Sequence, residues 1–254
     1  YLFNMLGVGA RFITFQDLEF DCTPTGGSAS IFWYGVGGGC NITWLRCDIH
    51  DFVQGWMLYC LSGAFIVDST TYMSEVTHIA SQDVGTWKSE RTAIWGCDFD
   101  FSNNHIAYLG PMRAGVIDDN TFSRVAFGRA ALRIIGNDYE NRSHDVWVSD
   151  NVFTGWIDPV ADGRSHNGGG TRYNYNLVDF AANSTNPRFG EWLEFTGNTI
   201  TDAEIMLQVA GWEHVRIHDN LFDTQDPSSV SHVYLGSLPL WDQRPNYDVQ
   251  VYNN

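Results

Sequence analysis

Positive charge is scarce in this sequence. Its 254 residues include 14 lysines and arginines, of which only Lys88 is a lysine, against 30 aspartates and glutamates, so the formal net charge is −16. Coulomb repulsion at that charge makes nucleic acids and anionic membrane surfaces poor partners. Apolar runs are also short: none approaches the ~18 residues that a membrane-spanning helix needs, so no membrane insertion is expected. Neutral glycans and divalent cations stay open as ligands.

Cysteine and proline are sparse as well. The five cysteines lie within the first 97 residues and include no Cys-x-x-Cys pair, so a zinc site is not expected. Only 7 prolines accompany 44% hydrophobic residues, which excludes disorder and collagen and indicates a single globular domain over residues 1–254. The chain begins at Tyr1 without an initiator Met or a signal-peptide charge pattern, so its true start is expected to lie upstream.

An internal repeat is the strongest pattern in the sequence. Val215 to Phe222 (VRIHDNLF) matches Val146 to Phe153 (VWVSDNVF) nearly position for position, as apolar, x, apolar, x, x, Asn, x, apolar. Most marker positions are ~22 to 34 residues apart, and two gaps of about double length each hold a degenerate copy. The marker positions are 18, 47, 97, 120, 151, 198, 220 and 254.

This repeat predicts a strand that bends and continues as a second strand, because a period-2 alternation is followed by a short turn and another apolar position. A further apolar stretch precedes each copy, such as Ala130 to Ile135 and Glu204 to Val209, so each coil has three strands. Helical periodicity is nowhere sustained. About nine coils stacked ~4.8 Å apart would form three parallel sheets around one core.

The coils resemble the right-handed parallel β-helix of the pectate-lyase-like superfamily, an all-β solenoid with an inward asparagine ladder at the turn between the second and third strands. The resemblance covers the whole chain, but lyases, hydrolases, epimerases, tailspikes and adhesins share this architecture. The paired-Asp and Gly-His-Gly motifs of polygalacturonases are absent from the sequence. The chain is expected to be a piece of a longer helix that lacks its N-terminal cap and C-terminal coils. The matching positions are Asn120, Asn151, Asn198, Asn220 and Asn254, with Cys47 and Cys97 as replacements.

The resemblance implies that ligands lie across the outer face of the first sheet. Alternation along the first strands places Leu132 and Ile134 inside and Arg133 outside, and it also places Tyr108 inside. An outward row that mixes carboxylates, imidazoles and a guanidinium at a ~4.8 Å repeat suits sugar binding, with a solvated face as the alternative. The row consists of His105, Arg133, Asp179, Glu204, Gln208, His232 and Tyr234, with His78 as an extension.

A long loop, Thr154 to Arg172, is expected to fold beside this row, and long loops in compact folds are often functional. An arginine there would neutralise a carboxylate or an oxyanion, and a histidine would move a proton; a plain surface loop is the alternative. The predicted catalytic residues, which should converge on one pocket, are Arg133, His166 and Asp179. Arg164 joins the substrate-binding row, and Asp158 with Asp162 would hold Ca²⁺ through hard oxygen ligands.

Two functions from different classes fit these features. The first is an extracellular carbohydrate-active β-helix protein that binds a polysaccharide and cleaves or epimerises it, as a lyase or a glycoside hydrolase. The second is a structural or adhesive module of a cell-surface layer, filament or tail fibre, with self-association between copies. Negative charge favours a neutral glycan or Ca²⁺ bridging. Tryptophans that would stack on sugars if exposed, or fill the core if buried, are Trp33, Trp56, Trp156, Trp212 and Trp241.

Overall fold

The computed structural model describes most of the chain. The described residues are 3–4, 11–22, 30–33, 40–58, 62–81, 89–126, 129–135, 142–155, 176–180, 190–201, 203, 205–223, 231–236 and 246–254. Within these ranges the chain forms 24 β-strands and no helix. Accordingly, no described segment is a helix of the length and hydropathy needed to cross a membrane.

The strands are short and alternate regularly. In chain order they are β1 Phe3–Asn4, β2 Arg11–Gln16, β3 Glu19–Asp21, β4 Ser30–Trp33, β5 Cys40–Leu45, β6 Asp48–Met57, β7 Ser62–Val67, β8 Thr70–Ser81, β9 Ser89–Trp95, β10 Asp98–Ser102, β11 Ala107–Leu109, β12 Met112–Asp118, β13 Thr121–Val125, β14 Leu132–Ile134, β15 Ser143–Ser149, β16 Val152–Thr154, β17 Asn176–Phe180, β18 Gly190–Thr196, β19 Thr199–Thr201, β20 Ile205–Val209, β21 Trp212–His218, β22 Leu221–Asp223, β23 Ser231–Leu235 and β24 Tyr247–Tyr252.

Three parallel sheets run the length of the described molecule, as predicted for a right-handed parallel β-helix. The first sheet contains β1, β4, β6, β8, β11, β14, β17, β20 and β23. The second contains β2, β5, β7, β9, β12, β15, β18, β21 and β24, and the third contains β3, β6, β8, β10, β13, β16, β19 and β22. The long strands β6 and β8 belong to both the first and the third sheet. The predicted fold class is confirmed.

The corner between the second and third sheets is a two-residue turn. Its first residue has a left-handed backbone, which aspartate, asparagine and glycine adopt most readily. At Gly197, with φ +67°, a Cβ atom would overlap Oδ1 of Asp150 in the preceding coil, so a larger residue there would have to displace that carboxylate. The left-handed residues of this corner are Asp17, Arg46, Asp68, Gly96, Asp119, Asp150, Gly197, Asp219 and Asn253.

The second residue of this turn points inward and bonds its counterpart in the next coil. Oδ1 of Asn151 accepts hydrogen bonds from N and Nδ2 of Asn120, at 3.0 and 2.8 Å. Nδ2 of Asn151 donates to Oδ1 of Asn198 at 3.0 Å and to the carbonyl of Ile117 at 2.9 Å. Asn220 and Asn254 extend the same arrangement. These five stacked asparagines therefore satisfy buried backbone groups as well as one another.

Cysteine occupies the same inward position in two earlier coils. The backbone N of Cys97 donates to Oδ1 of Asn120, and its thiol donates to the carbonyls of Ile66 and Trp95. Burial raises the pKa of the Cys97 thiol to about 12. Burial also raises the pKa of the half-buried Cys22 thiol, which lies at the end of β3. Since the thiolate is the reactive form, Cys97 should be protected from alkylation.

Alkylation of the native protein should therefore discriminate between these two thiols. With iodoacetamide at about pH 8, we expect Cys22 to be modified well before Cys97, and Cys97 to react only after unfolding. Peptide mapping by mass spectrometry at successive times would measure both rates. Equal rates in the native protein would contradict the placement of Cys97 in the core.

The core is built from the inward residues of all three sheets. Phe99, Phe122 and Phe153 occupy successive coils of the third sheet and stack with ring centroids 5.1 and 5.0 Å apart. Trp56 and Trp212 are fully buried, so they are core residues and cannot act as sugar-stacking platforms. Trp156, Trp241 and the side chain of Trp33 lie outside the described residues. Any stacking of sugars on the described outer surface of the β-helix would therefore involve other aromatic residues.

Candidate functional site

One side chain from each of five neighbouring strands of the first sheet falls in a single line. Strand pairing places Tyr108 beside Arg133, Arg133 beside Asp179, Asp179 beside Gln208, and Gln208 beside Tyr234. We call these five residues the first-sheet row. Parallel pairing brings together residues that are far apart in sequence, at the ~4.8 Å spacing of neighbouring strands. The row contains both charges, an amide and two phenols.

An ion pair occupies the centre of the row. Nε of Arg133 lies 3.2 Å from Oδ2 of Asp179, and the two side chains are only 17% and 10% exposed. The guanidinium of Arg133 also lies over the ring of Tyr108, 5.5 Å from its centroid. The predicted proximity of Arg133 and Asp179 is confirmed, and their catalytic role stays a prediction. A partly buried pair over an aromatic ring holds its geometry better than a solvated pair does.

Gln208 is more deeply buried than its outward position predicted. Only 2% of the residue is exposed. Its Nε2 donates to the carbonyl of Gly236 at 2.9 Å, and its Oε1 accepts a hydrogen bond from Nδ2 of Asn176. Gln208 thus links β17, β20 and the end of β23. The expectation that it is open to a ligand is wrong for this conformation.

The predictions for His105 and Tyr108 are wrong. The alternation placed His105 outside and Tyr108 inside, and the structure has them the other way round. His105 is 7% exposed, and its Nδ1 accepts a hydrogen bond from the backbone N of Ala130 at 2.9 Å. Burial, followed by the charges of Arg133 and Arg129, lowers the pKa of His105 to about 3. The alternation is different because β11 begins only at Ala107, so Ala107 and Leu109 are its inward residues.

The proposed extension of the row at His78 is also wrong. His78 is completely buried, with Nδ1 bonded to Oγ1 of Thr71 and Nε2 3.0 Å from the carbonyl of Phe101. Burial lowers the pKa of His78 to about 4. Its position in the long strand β8, which turns the corner between two sheets, places the imidazole in the core. At neutral pH this histidine is an uncharged structural residue.

The outer end of the row is more accessible. Tyr234 is half-buried, and His232 on the same strand is exposed, with its ring 6.4 Å from that of Phe222. Their outward placement agrees with the predicted alternation, and their substrate-binding role stays a prediction. The remaining predicted residues lie outside the described ranges: Arg164, His166 and Glu204, and the calcium pair Asp158 and Asp162.

Two other groups in the described part of the chain have the atom types of a metal site. Asp21, His50 and Asp51 form one, and Glu191, Glu213 and His214 form the other; in each, the ligand atoms lie within 4.8 Å of one another. In the first group, the hydrogen bond with Asp51 raises the pKa of His50, which favours the protonated imidazole beside the carboxylates around it. The calcium prediction, which concerns Asp158 and Asp162, is independent of both groups.

The described fold defines a right-handed parallel β-helix protein, and comparisons with known proteins add little to that class. No protein-family model and no curated protein matches the chain. A solved structure similar to it is the crystal structure of a GH136 lacto-N-biosidase from Eubacterium ramulus, in its selenomethionine form. The identity is 11% and the TM-score 0.33, and the alignment covers 98% of this chain and 50% of that chain. The function therefore has to be argued from the residues themselves.

Proposed function

We propose that this protein is an extracellular or cell-surface, carbohydrate-active β-helix protein of the pectate-lyase-like type, which binds a polysaccharide along the first-sheet row through the members other than the buried Gln208. The observation that supports the proposal is the unbroken register from Tyr108 through Arg133 and Asp179 to Tyr234. Four strand steps of ~4.8 Å give this row a length of about 19 Å. That length suits a chain-like ligand better than a single small molecule.

The chemistry of the row matches a sugar ligand. A guanidinium offers a fork of donors and a carboxylate offers several acceptor positions, which together can bind hydroxyl groups. The phenol rings of Tyr108 and Tyr234 combine an apolar face with a polar tip. If the bound chain is cleaved or epimerised, Arg133 would stabilise negative charge, with Asp179 and His166 moving protons. Ca²⁺ at Asp158 and Asp162 would help to bind an acidic glycan.

A structural or adhesive module is the second candidate, and one observation favours it. Gln208 bonds to Asn176 and Gly236, and Arg133 pairs with Asp179. These contacts join successive coils, so the row would also stiffen a spacer. In that case, removing a member would lower stability without changing the binding of any polysaccharide.

Substitution at the centre of the row distinguishes the two functions. We expect Arg133→Ala and Asp179→Asn to weaken polysaccharide binding by about 10- to 100-fold, which corresponds to about 1.4 to 2.8 kcal/mol. Binding would be measured by isothermal titration calorimetry against a panel of neutral and acidic polysaccharides. Product formation would be followed by new reducing ends and by the ultraviolet absorbance of unsaturated sugars.

The matched control is Arg124→Ala. Arg124 is also an arginine paired with an aspartate, Asp100, but it lies on the outer face of the third sheet and is half exposed. It should leave binding unchanged. If all three variants bind like the original protein while Arg133→Ala unfolds earlier, the structural function is favoured and the polysaccharide proposal fails.

A further inference from the structure

A second concave site lies on another face of the helix. The outer side of the second sheet has a groove of about 410 Å³ that crosses β12, β15, β18 and β21. Its lining includes Ala114, Gly115 and Val116 of β12, Trp147 of β15 and Trp192 of β18. We call it the tryptophan groove. It shares no residue with the first-sheet row, so it rests on separate observations.

A regular backbone kink shapes the groove. Each of the nine described strands of the second sheet has a left-handed residue near its start. The left-handed residue has no partner in the strand register. For example, Arg113 pairs with His144 and Gly115 pairs with Val146, and Ala114 and Asp145 between them are skipped. The kinked residues therefore form a column of outward side chains along the sheet. This column contains Phe12, Asn41, Arg91, Ala114, Asp145, Trp192, His214 and Asp248, and Gly63, which has no side chain, occupies the same position in β7.

Within this column an aromatic stack stops abruptly. The rings of Trp192 and His214 lie parallel, 4.3 Å apart with an interplanar angle of 19°. Because the stack runs from coil to coil, the second face of Trp192 is turned toward the preceding coils. The column there holds Asp145 and then Ala114, so neither position supplies a ring to cover it. The groove is thus the place where the next member of the stack would lie.

The second column of the groove contains the other exposed tryptophan. Strand pairing aligns Val116, Trp147, Glu194 and Arg216 on successive strands. Trp147 is 49% exposed and Trp192 is 47% exposed. Exposing two large indole rings to water on one surface is unfavourable, and such surfaces commonly mark binding sites. Their placement beside small residues leaves room for a flat ring.

The polar groups of the groove indicate which class of ligand ring would bind there. Asp145 and Glu194 each accept one hydrogen bond from a histidine, His144 and His218 respectively, and a carboxylate has about four acceptor positions. Each can therefore still accept a hydroxyl. Arg216 adds donors at the far side. Two carboxylates against one guanidinium, on a protein of net charge −16, disfavour an acidic ligand.

We propose that the tryptophan groove is a binding site for an uncharged glycan, with one sugar ring stacked on the face of Trp192 that is turned away from His214, over Asp145 and Ala114, and a neighbouring ring against Trp147. A pyranose ring has an apolar face of C–H groups and a rim of hydroxyls, which matches the indole faces and the carboxylates. The site is non-catalytic and separate from the first-sheet row. An aromatic or cationic ligand would use the same stack but not the hydroxyl contacts.

The test uses the full chain and defined probes. Soluble β-glucan, xylan and galactomannan represent uncharged glycans, and polygalacturonate is the charged comparison. Affinity would be measured by titration calorimetry and by the change in tryptophan fluorescence. Trp147→Ala and Trp192→Ala should each reduce affinity for the bound uncharged glycan by about tenfold or more, and Trp192→Phe should retain part of it.

Two controls make the result specific. Trp95→Ala removes a tryptophan of equal exposure, 50%, from the same face of the second sheet but outside the groove, and it should change nothing. In an Arg133→Ala background, where binding along the first-sheet row is weakened, Trp192→Ala should still cause its own loss of affinity, which separates the two sites. The proposal is overturned if none of the uncharged glycans binds, if Trp95→Ala reduces affinity as much as the groove variants do, or if Trp147→Ala and Trp192→Ala weaken the binding of polygalacturonate more than that of the uncharged glycans.

Discussion

Asn151→Ala should lower the free energy of unfolding by about 3 to 6 kcal/mol, a large share of the stability of a typical domain. The side chain is completely buried and makes four hydrogen bonds, two with Asn120 and one each with Asn198 and Ile117. Alanine removes all four, and each buried polar group left unsatisfied costs about 1 to 3 kcal/mol. Urea denaturation followed by far-ultraviolet circular dichroism would measure the change.

Two related variants set the scale of that effect. Asn254→Ala removes the exposed member of the same stack, where water replaces the lost partners, so the expected change is below about 1 kcal/mol. Asn151→Cys introduces the residue that Cys47 and Cys97 already provide at this position, where the Cys97 thiol bonds two carbonyls. It should cost less than alanine. A loss of under about 1 kcal/mol for Asn151→Ala would show that the stack is not a main source of stability.

Acid should destabilise the protein well above the pH at which carboxylates titrate. Burial lowers the pKa of His78 to about 4 and that of His105 to about 3, whereas both are near 6.5 in the unfolded chain. Between about pH 6.5 and 4 the unfolded chain therefore binds more protons, so stability falls as the pH falls. Each histidine contributes a slope of up to about 1.4 kcal/mol per pH unit.

Two other histidines act in the opposite direction. Hydrogen bonds to carboxylates raise the pKa of His50 and of His218, so their stabilisation is present at low pH and is lost as the pH rises. Their carboxylate partners Glu19, Asp51 and Asp219 are partly or largely exposed, and screening by solvent makes this contribution smaller than that of the buried pair. Urea denaturation at pH values between about 5 and 7 gives the net slope. The expected sign is a loss of stability with acid.

The variant His105→Gln identifies the source of that slope. Its amide oxygen can accept the bond from Ala130 that Nδ1 accepts now, and it does not titrate. We expect it to reduce the pH dependence by about half, since one of two buried histidines is removed. An unchanged slope in His105→Gln would refute the assignment.

The sequence was sufficient for the fold because the repeat itself encodes the coil. Alternation decides which side chains of a strand point inward, and it correctly placed Arg133 between Leu132 and Ile134. It failed at His105 because the rule was extended through residues that precede β11 and are not in a strand. Where the chain bends before a strand, the inward and outward assignment starts anew, and nothing in the local sequence marks where the strand begins.

The tryptophan groove was missed for another reason. Alternation does place Trp147 outside, between the inward residues Val146 and Val148. What the sequence does not contain is the pairing of strands across coils of unequal length, which brings Trp147 beside Glu194. The orientation of Trp192 also depends on a left-handed backbone angle, φ 62°, that is rare for tryptophan and could not be anticipated.

The two-residue corner between the second and third sheets gives the molecule an edge with constant spacing from coil to coil. One rung separates Asn120 from Asn151, Asn151 from Asn198 and Asn198 from Asn220, although these pairs are 31, 47 and 22 residues apart in the chain. Distance along this edge thus counts coils and ignores how many residues each coil contains. Labels attached at two of its left-handed residues would be separated by multiples of ~4.8 Å, so the edge provides a graduated scale for measuring inserted or deleted coils.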